Sequence, residues 1–315
     1  MGYVILFIFS NIDCYLFYKF SKYIYIAALL MVIFITFGSS LQRGVNRWIT
    51  IYGFSFQPSE LMKFAMILYL PRIFIEMEFD FSDRLHFYML MFLIIVPIMI
   101  IATNNLSTSF IVFLLSTSMI YLVSKKHIVF IIIFLSLILI YIFLDDISII
   151  MKNIGLIKNY QLERLLTYKN PKLYRDNSFQ TVQGLYAVAS GKIIGRGLFS
   201  SIQKAIVPEA QNDMIFAILS EELGLLGDFI VITLYIMLIA KIFISAAFQK
   251  DAYTFLVLVG IGLHLAIQVM FNIAVATNLM PNTGVTLPFI SYGGSAIIVL
   301  FMEMGLVMQV IKSNG

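Results

Sequence analysis

IVFIIIFLSLILIYIFL, residues 128–144, holds seventeen residues without a charge and without a polar–apolar alternation. In a bilayer every backbone polar group must be satisfied internally, so only helices and closed barrels span it. A barrel strand alternates apolar and polar side chains. A continuous apolar run is therefore a helix. The rest of the chain repeats the pattern: of 315 residues, 61% are hydrophobic and 12% charged, with a mean hydropathy of +0.95. Soluble domains carry about 25% charge. The sequence predicts an all-α integral membrane protein, a polytopic helix bundle forming one membrane domain over residues 1–315. A span takes roughly 20 apolar residues, and nine segments can be drawn, at about 3–18, 23–40, 60–76, 87–102, 107–123, 128–144, 228–246, 253–275 and 293–311. The single Cys14 excludes an intrachain disulfide. The N-terminus has neither a basic n-region nor a small-residue cleavage site, so a removable signal peptide is not expected.

Charge orients the bundle. Lys19 and Lys22, Arg72 and Arg84, Lys125 and Lys126, Lys250 and Lys312 fall between or beyond segments on one side. By the positive-inside rule that side is cytoplasmic, with Met1 outside. The longest polar stretch, 145–212, is then a large extracytoplasmic loop. It is basic, carrying Arg164, Lys192, Arg196 and Lys204 among others. Long loops are translocated largely regardless of charge, but a basic outer surface fits an anionic ligand.

Three polar stretches carry candidate chemistry. In GVNRWITIYGFSFQPSELMKF (44–64), Pro58 and Ser59 read as a helix start with Ser59 as N-cap. Glu60 and Lys63 then share a helical face, either as a local ion pair or as charges facing a cavity. TNLMPNTGVTLPFISYGGS (277–295) is uncharged, yet Pro281, Gly284, Pro288, Gly293 and Gly294 prevent a regular helix. It is a loop, or a cavity wall whose amides, around Ser291 and Gly293, meet an anion. In VPEAQNDMIFAILSEELG (207–224), four acids flank an apolar run. Pro208 suits a first helical turn and Glu209 its positive end. Asp213, Ala217 and Glu221 are then spaced four apart on one face. Asp213 is a helix cap, or a carboxylate whose apolar boundary makes it a general base. The histidines, His86, His127 and His264, have no ligand spacing. No nucleotide-binding motif occurs, and nothing points to nucleic acid.

Taken in order, GVNRWI, QPSELMKF, SFQTVQGLYAVASGKIIGRGL, SSIQKAIVPEAQNDMIFAILSEELG and NLMPNTGVTLPFISYGGS resemble the SEDS proteins (shape, elongation, division and sporulation) of the RodA/FtsW/SpoVE type. IQK before VPEA, with VTLPFISYGG, is closer to the FtsW/SpoVE branch. The resemblance implies a peptidoglycan glycosyltransferase that polymerises lipid II, a disaccharide-pentapeptide on undecaprenyl pyrophosphate, at the outer face of the bacterial cytoplasmic membrane. It implies a class B penicillin-binding protein as partner, with a lipid II flippase or a non-catalytic scaffold for that partner as the rival roles. The family's essential aspartate carries over to Asp213, its RWI arginine to Arg47, and its QPSExxK charges to Glu60 and Lys63. Arg196 and Lys204 are expected to join Arg47 and Lys63 on the pyrophosphate, with Ser291 and Gly293 lining the substrate. A divalent cation such as Mg or Mn would help neutralise the leaving group, but no cage for one is legible. Glu221 and Glu222 read as structural, or as supports for the residues that touch the substrate.

Two departures stand out. The family usually has ten spans and this chain about nine, FSNIDCYLFYKFSKYIYI (9–26) resembling the second span running into the third. The family's PDLGT-like motif reads NNLST at 104–108, so Asn105 replaces its acid.

Overall fold

The computed structural model describes residues 2–38, 48–51, 54–78, 83–124, 162, 166–168, 175–208, 210–282 and 284–313. The run 128–144 that decided for helices, Arg47, Glu209 and most of 145–174 lie outside them. The described residues are nearly all helical: α1 (Gly2–Phe9), α2 (Cys14–Gly38), α3 (Pro58–Glu76), α4 (Arg84–Ala102), α5 (Leu106–Val123), α6 (Arg175–Gly191), α7 (Ile215–Ala247), α8 (Ala252–Ala276) and α9 (Gly294–Ser313). A hairpin absent from the sequence reading precedes α3, with β1 (Ile49–Ile51) antiparallel to β2 (Phe54–Phe56). Six of these helices, α2, α4, α5, α7, α8 and α9, are long and apolar enough to cross a membrane.

The chain divides into two compact units: residues 1–130, 239–267 and 294–315 form the first, and 131–238 with 268–293 the second. In the first, α3 packs on α2, α4, α5 and α9, and α1 packs on α9. Nearly every α3 side chain from Pro58 to Phe74 is buried. That is why a helix with Glu60 and Lys63 near its start can sit in this fold: both charges are buried in protein and paired with each other. Glu60 and Lys63 pair at 2.8 Å. Arg72 binds Glu76 at 2.7 Å and reaches the Tyr18 and Lys19 carbonyls of α2 at 3.2 and 3.1 Å. Pro71 leaves the Ile67 carbonyl without its helical donor, and the Tyr253 hydroxyl donates to the next carbonyl, Leu68 O, at 3.1 Å.

The N-terminal segments break elsewhere than expected. The sequence reading ends the first span near Lys19; the chain instead turns at Ser10–Asp13. Ser10 and Asn11 side chains donate to Phe7 O at 2.9 and 2.7 Å, and Asp13 accepts from Tyr15 N at 3.1 Å. These polar residues close one helix and open the next. Lys19 and Lys22 therefore lie inside α2. At 1.5 Å per residue, α2 extends about 37 Å and α1 only about 12 Å, so α1 is too short to span. Ser59 is not the N-cap of α3 either. Pro58 takes the first helical position, which moves the cap to Gln57. Asn105 caps α5 through its Oδ1, which accepts from Thr108 N at 3.2 Å, a role that needs no charge.

Candidate active site

In the second unit, Asp213 sits on the turn that leads into α7 and is 8% exposed. The expected helix start at Pro208 does not form: residues 206–208 and 210–214 run through turns and a bend, and α7 begins at Ile215. Asp213 is thus off the Ala217–Glu221 helical face. Met214 beside it plugs into an apolar cluster with Val207, Ala210, Ile218 and Val275.

Hydrogen bonds from two sides fix this turn. Asn272 of α8 donates from Nδ2 to Asp213 O at 2.9 Å and to Val285 O at 2.7 Å. Ser291 donates from Oγ to Asn212 O at 2.5 Å while accepting from Leu287 N at 2.6 Å. Tyr292 N donates to Gln211 O at 2.9 Å. The Pro/Gly-rich residues 277–282 and 284–293 are irregular, as their composition dictates, and serve as the clamp on Gln211–Asp213. Gly284 lies alongside with φ +71°, and a Cβ there would stand 3.8 Å from Asp213 Oδ2. From α6, Gln180 Nε2 reaches Asp213 Oδ1 at 3.3 Å and Pro208 O at 2.9 Å, and Asn282 Nδ2 donates to Gln180 Oε1 at 2.7 Å.

A second polar knot holds the basic part of the loop. Glu221, fully buried, accepts from Ser201 Oγ (2.5 Å), Gln203 N (3.2 Å), Ile202 N (3.3 Å) and Arg196 Nη1 (3.3 Å). The chain passes so close that Gly224 (φ +67°) admits no side chain: a Cβ would lie 2.3 Å from Gly195 N. Arg196 is half-exposed, and Lys204 is exposed on a short 3₁₀ turn (Gln203–Ala205).

Of the expected site residues, Asp213, Arg196, Lys204, Ser291 and Gly293 belong to the second unit. Gly293 directly precedes α9. Ser291 acts on the main chain before Asp213, and Arg196 is held by Glu221. Glu60 and Lys63 belong to the first unit, where they are a buried ion pair. Arg47 lies outside the described residues. Sequence reasoning missed Gln180, Asn272 and Asn282. Their signal was present: three amides inside or beside apolar runs, two of them within quoted motifs, where an unpaired amide would be costly. Among the described residues no three His, Cys, Asp or Glu side chains converge as a metal site.

A family model described as "Cell cycle protein", that of the FtsW, RodA and SpoVE proteins, matches residues 1–315. The chain belongs to this SEDS family. It is 34% identical to the stage V sporulation protein E of Bacillus subtilis, the match covering 98% of this chain and 84% of that one. It is 31% identical to the probable peptidoglycan glycosyltransferases FtsW of Wigglesworthia glossinidia brevipalpis (89% and 72% covered) and of B. subtilis (93% and 73%). These relatives are on the branch expected. Two solved structures share the fold at 22% identity, each over 99% of this chain. One is described as "Structural coordination of polymerization and crosslinking by a peptidoglycan synthase complex" (TM-score 0.78, 87% of that chain). The other is the rod shape determining protein RodA of Thermus thermophilus (TM-score 0.68, 84%). This SEDS protein is a multi-pass protein of the cytoplasmic membrane.

Proposed function

We propose that this SEDS protein is a peptidoglycan glycosyltransferase that polymerises lipid II at the outer face of the cytoplasmic membrane, with a class B penicillin-binding protein as its crosslinking partner. The observation that carries the reading is the state of Asp213: a nearly buried residue next to Met214 of an apolar cluster, its backbone clamped by Asn272 and its side chain met by Gln180. A carboxylate so restrained is a weak candidate for a mere helix cap and a good one for a base.

In the reaction, the 4-hydroxyl of one sugar attacks C1 of another. The C1–O bond to the undecaprenyl pyrophosphate breaks, and that lipid leaves with the electron pair. Asp213 accepts the hydroxyl proton as the new glycosidic bond forms; a general base contributes about 10²- to 10⁴-fold. The leaving pyrophosphate needs positive charge. Arg196, held in place by Glu221, and Lys204 supply it within the second unit, and Arg is suited to binding phosphate in a fork. Among the described residues no carboxylates or histidines converge as a cage for a divalent ion.

The test is purified protein with its partner in liposomes carrying fluorescent lipid II. Glycan chains appearing on the added-substrate side support the polymerase. Movement of lipid II across the bilayer without polymer marks a flippase, and neither product, with partner crosslinking intact, marks a scaffold.

A further inference from the structure

Asp213 is met by a side chain that is itself oriented by another. We infer that Gln180 and Asn282 form a two-residue positioning relay for the Asp213 carboxylate, an inference that rests on the reading of Asp213 as the base.

The direction of the relay follows from what each atom can do. Pro208 O, 2.9 Å from Gln180 Nε2, is a carbonyl and only accepts. The amide nitrogen of Gln180 must therefore face it, and the same NH₂ group supplies a second N–H toward Asp213 Oδ1, 3.3 Å away. Turning the Gln180 amide over would set its oxygen against a carbonyl and a carboxylate at once. Gln180 Oε1 then points to Asn282, whose Nδ2 lies 2.7 Å off. By the same logic Asn282 must present its NH₂ there. Each amide thus fixes the next, and the last donor is aimed at the base.

The residues come from different segments: Gln180 from α6, Asn282 from the irregular stretch after α8, Asp213 from the turn before α7. Asn272 and Ser291 secure the backbone of that turn, but only Gln180 among these contacts reaches the carboxylate. The relay therefore does separate work. It holds the Asp213 side chain in one rotamer, and it stabilises the ionised form that must accept a proton. Hydrogen bonds of 3.3 Å are long for a resting state, and such bonds tighten as the reacting complex forms.

The experiment is steady-state polymerisation of lipid II by the full-length protein with its partner, across pH, with lipid II binding measured in parallel. Gln180→Ala is expected to lower kcat about 10-fold or more with lipid II affinity unchanged, because the lost contact is to the base rather than to substrate. Asn282→Ala is expected to lower kcat less, and the Gln180→Ala/Asn282→Ala double variant to be no slower than Gln180→Ala alone, since Asn282 acts through Gln180. Gln180→Glu keeps the shape and sets a second carboxyl against Asp213. Two carboxylates sharing a site raise one pKa, so the acidic limb of the kcat profile should move up by about one pH unit or more. A merely structural role would leave that limb in place.

The relay is overturned if wild type polymerises and the Gln180→Glu limb does not move, or if the two alanine substitutions multiply as independent effects. A wild type that makes no polymer sinks the glycosyltransferase reading instead, so the two failures are distinct.

Discussion

Replacing Glu221 by Gln is a one-atom change with a calculable local consequence. The carboxylate accepts four donors: Arg196 Nη1 and Ile202 N on Oε1, Ser201 Oγ and Gln203 N on Oε2. A glutamine keeps one accepting oxygen. With that oxygen toward Arg196 and Ile202, its NH₂ faces Ser201 and Gln203. Ser201 can rotate its proton away and accept, but Gln203 N cannot, so one buried main-chain donor loses its partner and the remaining bonds lose their charge. Hydrogen bonds to charged groups are worth about 1.5–3 kcal/mol each. The variant should destabilise the 196–206 loop by about 2–3 kcal/mol, allowing for partial rearrangement. At 1.36 kcal/mol per decade this makes local opening about 30- to 150-fold more frequent. Hydrogen-exchange mass spectrometry on the protein in nanodiscs reads it directly: peptides spanning Arg196–Ile206 should exchange faster by that factor, while peptides from α8 stay put. Unchanged exchange across 196–206 would refute the claim that Glu221 is the fastening point of this loop.

Further expectations concern the buried pair in the first unit and the sidedness of the second. His264 Nδ1 and Glu303 Oε1 lie 2.8 Å apart with both side chains at most 1% exposed. Glu303→Ala alone should cost about 1–3 kcal/mol, because it leaves a buried ring nitrogen without its partner. The His264→Leu/Glu303→Met double variant should recover most of that loss; thermal unfolding in detergent checks both, and equal destabilisation by the double variant would contradict it. Gln211 is exposed two residues before Asp213. In a Cys14→Ser background, Gln211→Cys should react with a membrane-impermeant maleimide added to whole cells; labelling only after the membrane is opened would reverse the orientation.

What the sequence disclosed and what it hid divide along a physical line. Apolar run length is local information, so α4, α5, α8 and α9 begin and end within three residues of the expected segments. The breakers in 277–293 act on their own backbone, so the irregular stretch was legible as well. Helix starts depend on competing caps, and there the reading slipped. Pro58 took the position given to Ser59, and Pro208 entered a turn rather than a helix. The pairing of His264 with Glu303 spans 39 residues, and that of Gln180 with Asn282 spans 102. No periodicity encodes such meetings. The residues alone left Asp213 between a helix cap and a base, and the family resemblance singled it out as the base; the amides that hold it belong to tertiary structure. The four donors to Glu221 come from a loop whose path the sequence does not give.

The most direct test of the central claim is the Asp213→Asn variant, purified with its class B partner and given labelled lipid II. The substitution keeps the size of the side chain and, with its oxygen toward Gln180, the hydrogen bond from that amide; it removes the charge and with it the capacity to take a proton. The account predicts lipid II bound as tightly as by wild type, and polymer formation reduced by at least 100-fold. Glycan chains made at the wild-type rate would show that the proton goes elsewhere, and the account would fall.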